Sequence, residues 1–173
     1  FNIYSMTQKG FTLIELLVVV AIIGVLAAVG VVAFNGFIAS AKKNAVISHH
    51  NNVATYIRSE LMKCNLGSQT EVYTNTTTQY GNCLTMTFKD IFDGIVWYAE
   101  TQDVKGWDNP LGNHPDHTNT TGVNKSEECK PAHLEIYYGM TQCGVYQGYG
   151  RCCTRWNGDD DGFIITRIND ILE

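Results

Sequence analysis

The chain has 173 residues and a mass of 19.2 kDa, with 12 basic against 17 acidic residues and a formal net charge of −5. That length is one domain with room for an appendage, and the acid balance makes the whole molecule a poor match to a polyphosphate backbone while leaving room for a local basic patch. Residues 11–34 hold 20 hydrophobic residues in 24 positions, against 45% for the whole chain, so an oily N-terminal segment is joined to a polar, aromatic body, and neither a uniform soluble enzyme nor a disordered protein fits.

The apolar run begins abruptly at Phe11, straight after Lys9-Gly10, and Leu16 to Ala41 contain no charge. Leu16–Phe34 alone is 19 residues, about 28 Å as helix, enough to cross a hydrocarbon core. The many Val and Ile residues would weaken a helix in water. In lipid, backbone groups must bond internally, so helix wins. Glu15 sits inside the run near its start. A charge at mid-bilayer costs about 2.5–3.5 kcal/mol, less near an interface, and usually has a partner. Two readings follow: an interfacial Glu that snorkels to water, or a carboxylate that waits for a positive group supplied later. A conventional secretory signal cut near Ala27-Ala28 fits badly, because the stretch is longer than a typical signal core and carries an acid.

Lys9-Gly10-Phe11-Thr12-Leu13-Ile14-Glu15-Leu16-Leu17-Val18-Val19-Val20-Ala21-Ile22-Ile23-Gly24 resembles the class III signal of type IV pilins and the related type II secretion pseudopilins. The similarity is specific over residues 9–34 and is a general architectural likeness beyond about residue 64. The resemblance implies a leader of residues 1–10, a prepilin peptidase that cuts between Gly10 and Phe11, and methylation of the new amine on Phe11. It implies that Glu15 pairs with the N-terminus of a neighbouring copy during assembly. The partners it implies are membrane lipid before assembly, an assembly platform in the inner membrane, and a homopolymer that ends as an extracellular filament. Elementary electrostatics agrees: cleavage creates a cationic amine, and in low dielectric its pairing with a carboxylate disfavours wrong register even where the net stabilisation is small. There are two departures. The chain begins with Phe1, and Met6 is a second candidate start, leaving a leader of Met6 to Gly10. Val32 stands where many pilins carry a proline associated with local helix melting; Gly24 and Gly30 remain.

Past the oily segment, Phe34, Ile38, Ala41, Ala45, Val46, Val53, Ile57 and Leu61 keep a helical spacing. The other face carries Lys42, Lys43, Asn44, His49, Asn51, Asn52, Ser59 and Glu60, and Asn65-Leu66-Gly67 is a stop signal. A helix from Thr12 to Lys63 is about 78 Å long. Its lower half needs other apolar surfaces once it leaves lipid, and a bundle of identical rods supplies them. The pair His49-His50 is expected to lie on a solvated face, because adjacent helical residues point in different directions.

Residues 68–87 read as a polar loop with a short strand at Leu84–Thr87, and Phe88 to Ala99 as a second helix with Phe88, Ile91, Phe92, Ile95 and Tyr98 on one face. Gly106 to Asn113 is turn material around Trp107; His133–Tyr138 and Phe163–Ile168 alternate as half-buried strands, with a hairpin or loop at residues 139–150. Asn157 to Gly162 holds an acidic cluster, Asp159-Asp160-Asp161, without the closing acid of an EF-hand loop, so a solvated turn is expected rather than calcium. The Asn75, Asn119 and Asn124 sequons read as plain polar loops.

Cys64, Cys83, Cys129, Cys143, Cys152 and Cys153 are an even set with no C-x-x-C spacing, which points to disulfides in an oxidising space rather than free thiols or a metal site. The vicinal pair Cys152-Cys153 usually has two different partners, and 15 pairings are open. The expected fold is α+β: one long helix over residues 11–64, membrane-spanning then amphipathic, packed by a small antiparallel sheet in a disulfide-stapled head, residues 65–173. No catalytic arrangement, cofactor, metal site or direct nucleic-acid contact is expected. The leading expectation is a pilin subunit; a pseudopilin and a membrane-tethered binding protein are the alternatives.

Overall fold

The apolar run and the stripe after it form one helix, α1 (Leu13–Asn65). The computed structural model of the chain describes residues 10–67, 71–73, 80–101, 107–112, 123–125, 138–157 and 162–168. It divides into two compact units, Phe1–Ser40 and Ala41–Glu173.

In the first unit, every described side chain from Phe11 to Ser40 is exposed. A helix apolar on all sides needs lipid or other protein around it. This part of α1 is long and apolar enough to cross a membrane. Its first turn is capped by Thr12, whose hydroxyl accepts from the Glu15 amide at 3.3 Å.

In the second unit, α1 buries Val46, Val53, Ala54, Ile57, Leu61 and Cys64. These positions repeat at the three- and four-residue steps of one helix face. The helix stops at the expected signal: the Leu66 and Gly67 amides bond back to the Met62 and Cys64 carbonyls, and Gly67 takes φ +67°. Two short strands, β1 (Glu71–Tyr73) and β2 (Tyr80–Asn82), pair antiparallel. The strand expected at Leu84–Thr87 is instead a turn leading into α2 (Phe88–Thr101). The Leu84 amide donates to the Asn82 side chain, and Thr87 caps the helix: its hydroxyl accepts from the Asp90 amide at 3.3 Å and donates to the Asp90 carboxylate at 2.7 Å. A threonine used as a cap takes non-helical geometry itself but ends any strand pairing there.

Beyond α2 lie β3 (Val123–Lys125), β4 (Thr141–Tyr146), β5 (Tyr149–Arg155) and β6 (Phe163–Ile168), adjacent in that order in one sheet. β4, β5 and β6 pair antiparallel, and the short β3 adds to β4 in parallel, with Val123 opposite Thr141. The span 139–150 resolves as a hairpin. Its two-residue turn, Gln147-Gly148, has φ of 51° and 86°, the doubly left-handed turn that matches strand twist. Alternation then sorts the faces. Cys143, Cys152, Thr154 and Ile168 are buried with α1 and α2, while Arg167 and Ile165 of β6 are exposed. The core joins Ile57 and Leu61 of α1, Ile91, Phe92 and Val96 of α2, and Val123, Cys143, Cys152 and Ile168 of the sheet.

The turn Trp107–Gly112 is fastened to this core. The Leu111 amide donates to the Asn109 side chain at 3.0 Å, and Asn109 Nδ2 donates to the Tyr138 carbonyl at 2.9 Å. Trp107 meets Tyr56 of α1 edge-on, with ring centroids 4.7 Å apart. Tyr138 itself sits in a turn with Gly139. The rest of the expected strand His133–Tyr138, the acidic cluster Asp159–Asp161, and the sequons at Asn75 and Asn119 lie outside the described residues; Asn124 is on β3.

The expectation for His49 and His50 is overturned. His49 is 6% exposed and His50 is wholly buried. Val46 and Val53 stand seven residues apart in the buried stripe. The helical positions that fill that gap, three and four beyond Val46, are the two histidines. They straddle the middle of the face and both reach the sheet.

Candidate functional site

The residues singled out for processing and assembly stand together at the start of α1. Gly10 and Phe11 precede the helix and are exposed. Thr12 is the cap residue and Glu15 stands three beyond it. Glu15 Oε2 accepts from the Thr12 amide at 2.8 Å and from the Thr12 hydroxyl at 2.7 Å, while the Glu15 amide donates back to that hydroxyl. This reciprocal capping box satisfies backbone donors that the first helical turn would otherwise leave open. The sequence reading of Glu15 as a lone charge missed Thr12. The pattern Thr12-x-x-Glu15 ahead of an apolar run was the available signal.

The box has a chemical consequence. One carboxylate oxygen, Oε2, is committed within the turn. Oε1 accepts no hydrogen bond from a described residue. Glu15 therefore holds its negative charge at the helix N-terminus, where the helix dipole also favours it, and still presents an oxygen outward. A cation brought alongside can pair with it without unwinding the helix.

Among the described residues, and its chain neighbours apart, no atom lies within 4 Å of the place a β-carbon on Gly10 would occupy. An open, unencumbered peptide is what a protease needs to draw a strand into its cleft.

In the body, the described disulfides staple elements to one another. Cys64, at the end of α1, bonds Cys83, just after β2, across a Cα–Cα distance of 5.5 Å. Cys143 bonds Cys152 directly across the β4–β5 ladder at 4.1 Å. Cys153 is also disulfide-bonded, so the vicinal cysteines point to different partners; Cys129 lies outside the described residues. Among the described residues there is no group of three or more His, Cys, Asp or Glu side chains that could hold a metal ion.

Residues 5–31 match the family model described as the prokaryotic N-terminal methylation motif. The match spans the Gly10–Phe11 bond, the capping box and most of the apolar run. The match supports a likeness to the pilins and pseudopilins in general, carried by the N-terminal residues alone. More particularly, the motif at the head of a long apolar helix fits a type IV pilin, and it fits anchoring in a membrane. No solved structure matches the chain.

Proposed function

We propose that this chain is a structural subunit that polymerises through its N-terminal helices into a type IV pilus used for adhesion, motility or DNA uptake. The observation that carries the reading is the methylation motif at residues 5–31, leading a helix whose N-terminal part, to Ser40, is mostly apolar and exposed on every face. In this reading residues 1–10 are a leader, residues 11–64 the transmembrane and stalk helix, and residues 65–173 the head. A prepilin peptidase cuts after Gly10 and the amine of Phe11 is methylated. The subunit waits in the inner membrane, where lipid covers the apolar faces of α1. The assembly platform then extracts it, and the helices of other copies replace the lipid.

Glu15 supplies register. Its unused oxygen faces a new N-terminal amine on a neighbouring copy, and a misplaced subunit would leave both charges unpaired in an apolar bundle. The uncut chain has no amine at residue 11, so processing licenses assembly. Disulfides in the head suit an oxidising, extracytoplasmic space.

Two measurements test this. A mass spectrum of native material should show a chain starting at Phe11 and carrying one extra methyl group. Glu15→Gln keeps the capping geometry, since Gln also closes the box, but removes the charge; the variant should insert in the membrane and fail to polymerise. Retention of the first ten residues, or an unchanged polymer yield, overturns the reading. Long extracellular fibres built mainly of this chain distinguish a pilus from the short periplasmic assembly of a pseudopilin.

A further inference from the structure

The two buried histidines take part in a continuous hydrogen-bonded row. His50 Nε2 lies 2.8 Å from the Thr166 hydroxyl, and His50 Nδ1 lies 2.8 Å from the Thr154 hydroxyl. Thr154 donates to Thr141 at 2.8 Å. Thr141 lies 3.1 Å from His49 Nδ1, and His49 Nε2 lies 3.4 Å from the Trp107 carbonyl. The row therefore runs from β6 through α1, β5 and β4, back to α1, and out to the Trp107–Gly112 turn.

Its proton positions follow from the ends inward. A carbonyl only accepts, so His49 Nε2 carries a proton and donates to Trp107. In a neutral ring His49 Nδ1 is then an acceptor, and Thr141 donates to it. Thr154 has spent its one proton on Thr141, so His50 Nδ1 must donate to Thr154. His50 Nε2 is then the acceptor, and Thr166 donates. Every bond points the same way.

We propose that His49 and His50 are the two pins of an acid-sensitive latch: both neutral, in opposite tautomers, in a one-way chain of five hydrogen bonds that ties α1 to the sheet, and whose order a proton on either ring undoes while leaving a charge buried among hydroxyls. A second proton on His50 turns Nε2 into a donor, so Thr166 must turn its hydroxyl from donor to acceptor. A second proton on His49 does the same to Thr141, whose oxygen must then accept from both His49 and Thr154, and the buried row gains a positive charge with no carboxylate in it to pair with. Polar rows of this kind are worth most when every member is satisfied, and a half-satisfied one is costly.

The surroundings oppose the added charge on His50. Burial is the main cause, and the charge of His49, once that ring is itself protonated, and that of Arg58 add to it; the ring's pKa falls from 6.5 to about 4. His49 is also lowered, by burial, with its bond to the Trp107 carbonyl and the charge of Asp108 acting the other way. From the strands packed on the pair come hydroxyls, and the charged groups that act most on the two rings are Arg58 of α1 on His50 and Asp108 of the turn on His49. The sign of the effect is fixed. Below pH 6.5 the unfolded chain takes up a proton that the folded His50 refuses, so stability is complete above that pH and is lost as the pH falls toward 4. By pH 5 the folding equilibrium constant should drop about thirtyfold on this account alone.

Nitrogen NMR of the histidine rings in the full chain, held in detergent micelles at pH 7.5, reads the tautomers directly. The expected result is His49 protonated on Nε2 and His50 on Nδ1. Equal tautomers, or a His50 signal that titrates near pH 6.5, overturn the proposal. Denaturation of the wild type and of His50→Gln at pH 8 and pH 5 gives the second readout. The advantage of the wild type over the variant should shrink about thirtyfold in equilibrium constant between those pH values; a difference independent of pH overturns the latch. The NMR result stands whether or not the variant folds. Because it concerns the body alone, it is also independent of whether the chain polymerises.

Discussion

Gly150 of β5 lies flat against the ring of Phe92 of α2, so close that a β-carbon on Gly150 would overlap the ring. The contact sets how near α2 can approach the sheet, because Phe92 is fully buried and interiors are close-packed. Gly150→Ala should destabilise the body by about 1–3 kcal/mol through overpacking. Phe92→Leu should recover part of that loss in the double variant, though each change alone is harmful. Chemical denaturation of the four proteins, read as a double-mutant cycle, checks the coupling; strictly additive effects would remove the contact as the explanation.

Thr12 and Glu15 share one capping box, but the proposed assembly role belongs to the charge alone. Thr12→Val removes the cap hydroxyl and should loosen the first turn by about 1 kcal/mol, while polymer yield stays near that of the wild type. Glu15→Gln should do the reverse. Hydrogen exchange at residues 13–16 and the amount of sedimentable polymer separate the two. Equal loss of polymer in both variants would assign Glu15 to capping.

The Cys64–Cys83 bond closes a sequence separation of 19 residues between the end of α1 and the turn before α2. Constraining a loop of that size in the unfolded chain is worth about 3 kcal/mol. The double variant Cys64→Ser and Cys83→Ser should lose that much stability. Removal of Cys143–Cys152, with a separation of 9, should cost slightly less on entropic grounds, and its two serines would enter a tightly packed core. Thermal unfolding monitored by near-UV dichroism measures both.

Tyr56 governs the alkaline limb of stability. Burial is the main cause that pushes its phenol up from 10.0 to about 12, with the charges of Glu60 and Tyr98 adding to it. The unfolded chain releases this proton from pH 10 while the folded chain keeps it, so stability falls as the pH rises from 10 through 12. Absorbance titration of the wild type against Tyr56→Phe should show one phenol missing from the late part of the curve. Loss of a phenol that titrates near pH 10 would contradict the burial argument.

The elements legible in the sequence were those whose signals lie within a turn or two of each other. The stripe Val46, Val53, Ile57, Leu61 marked the buried face of α1, and Asn65-Leu66-Gly67 marked its end. Phe88, Ile91, Phe92 and Ile95 marked α2, while the Gly-Tyr-rich span 139–150 read equally as a hairpin or a loop until the β4–β5 pairing decided it. The strand expected at Leu84–Thr87 failed because Thr87 is a helix cap, a local role that outranks β propensity. The cap at Thr12 was legible by the same rule, and the interest of Glu15 as a charge obscured it.

The N-terminal third is determined by its own residues: an apolar run of that length has one stable backbone form in lipid, and the methylation motif over residues 5–31 is a linear pattern that needs no fold to be read. The burial of His49 and His50 was decided elsewhere, by Thr141, Thr154 and Thr166, which lie 92, 104 and 116 residues away from the histidine each one meets. The same holds for the choice of Cys83 for Cys64 and of Cys152 for Cys143. Helical periodicity fixes which residues share a face, but a partner's identity depends on chain closure over long loops, and only the folded chain brings those ends together.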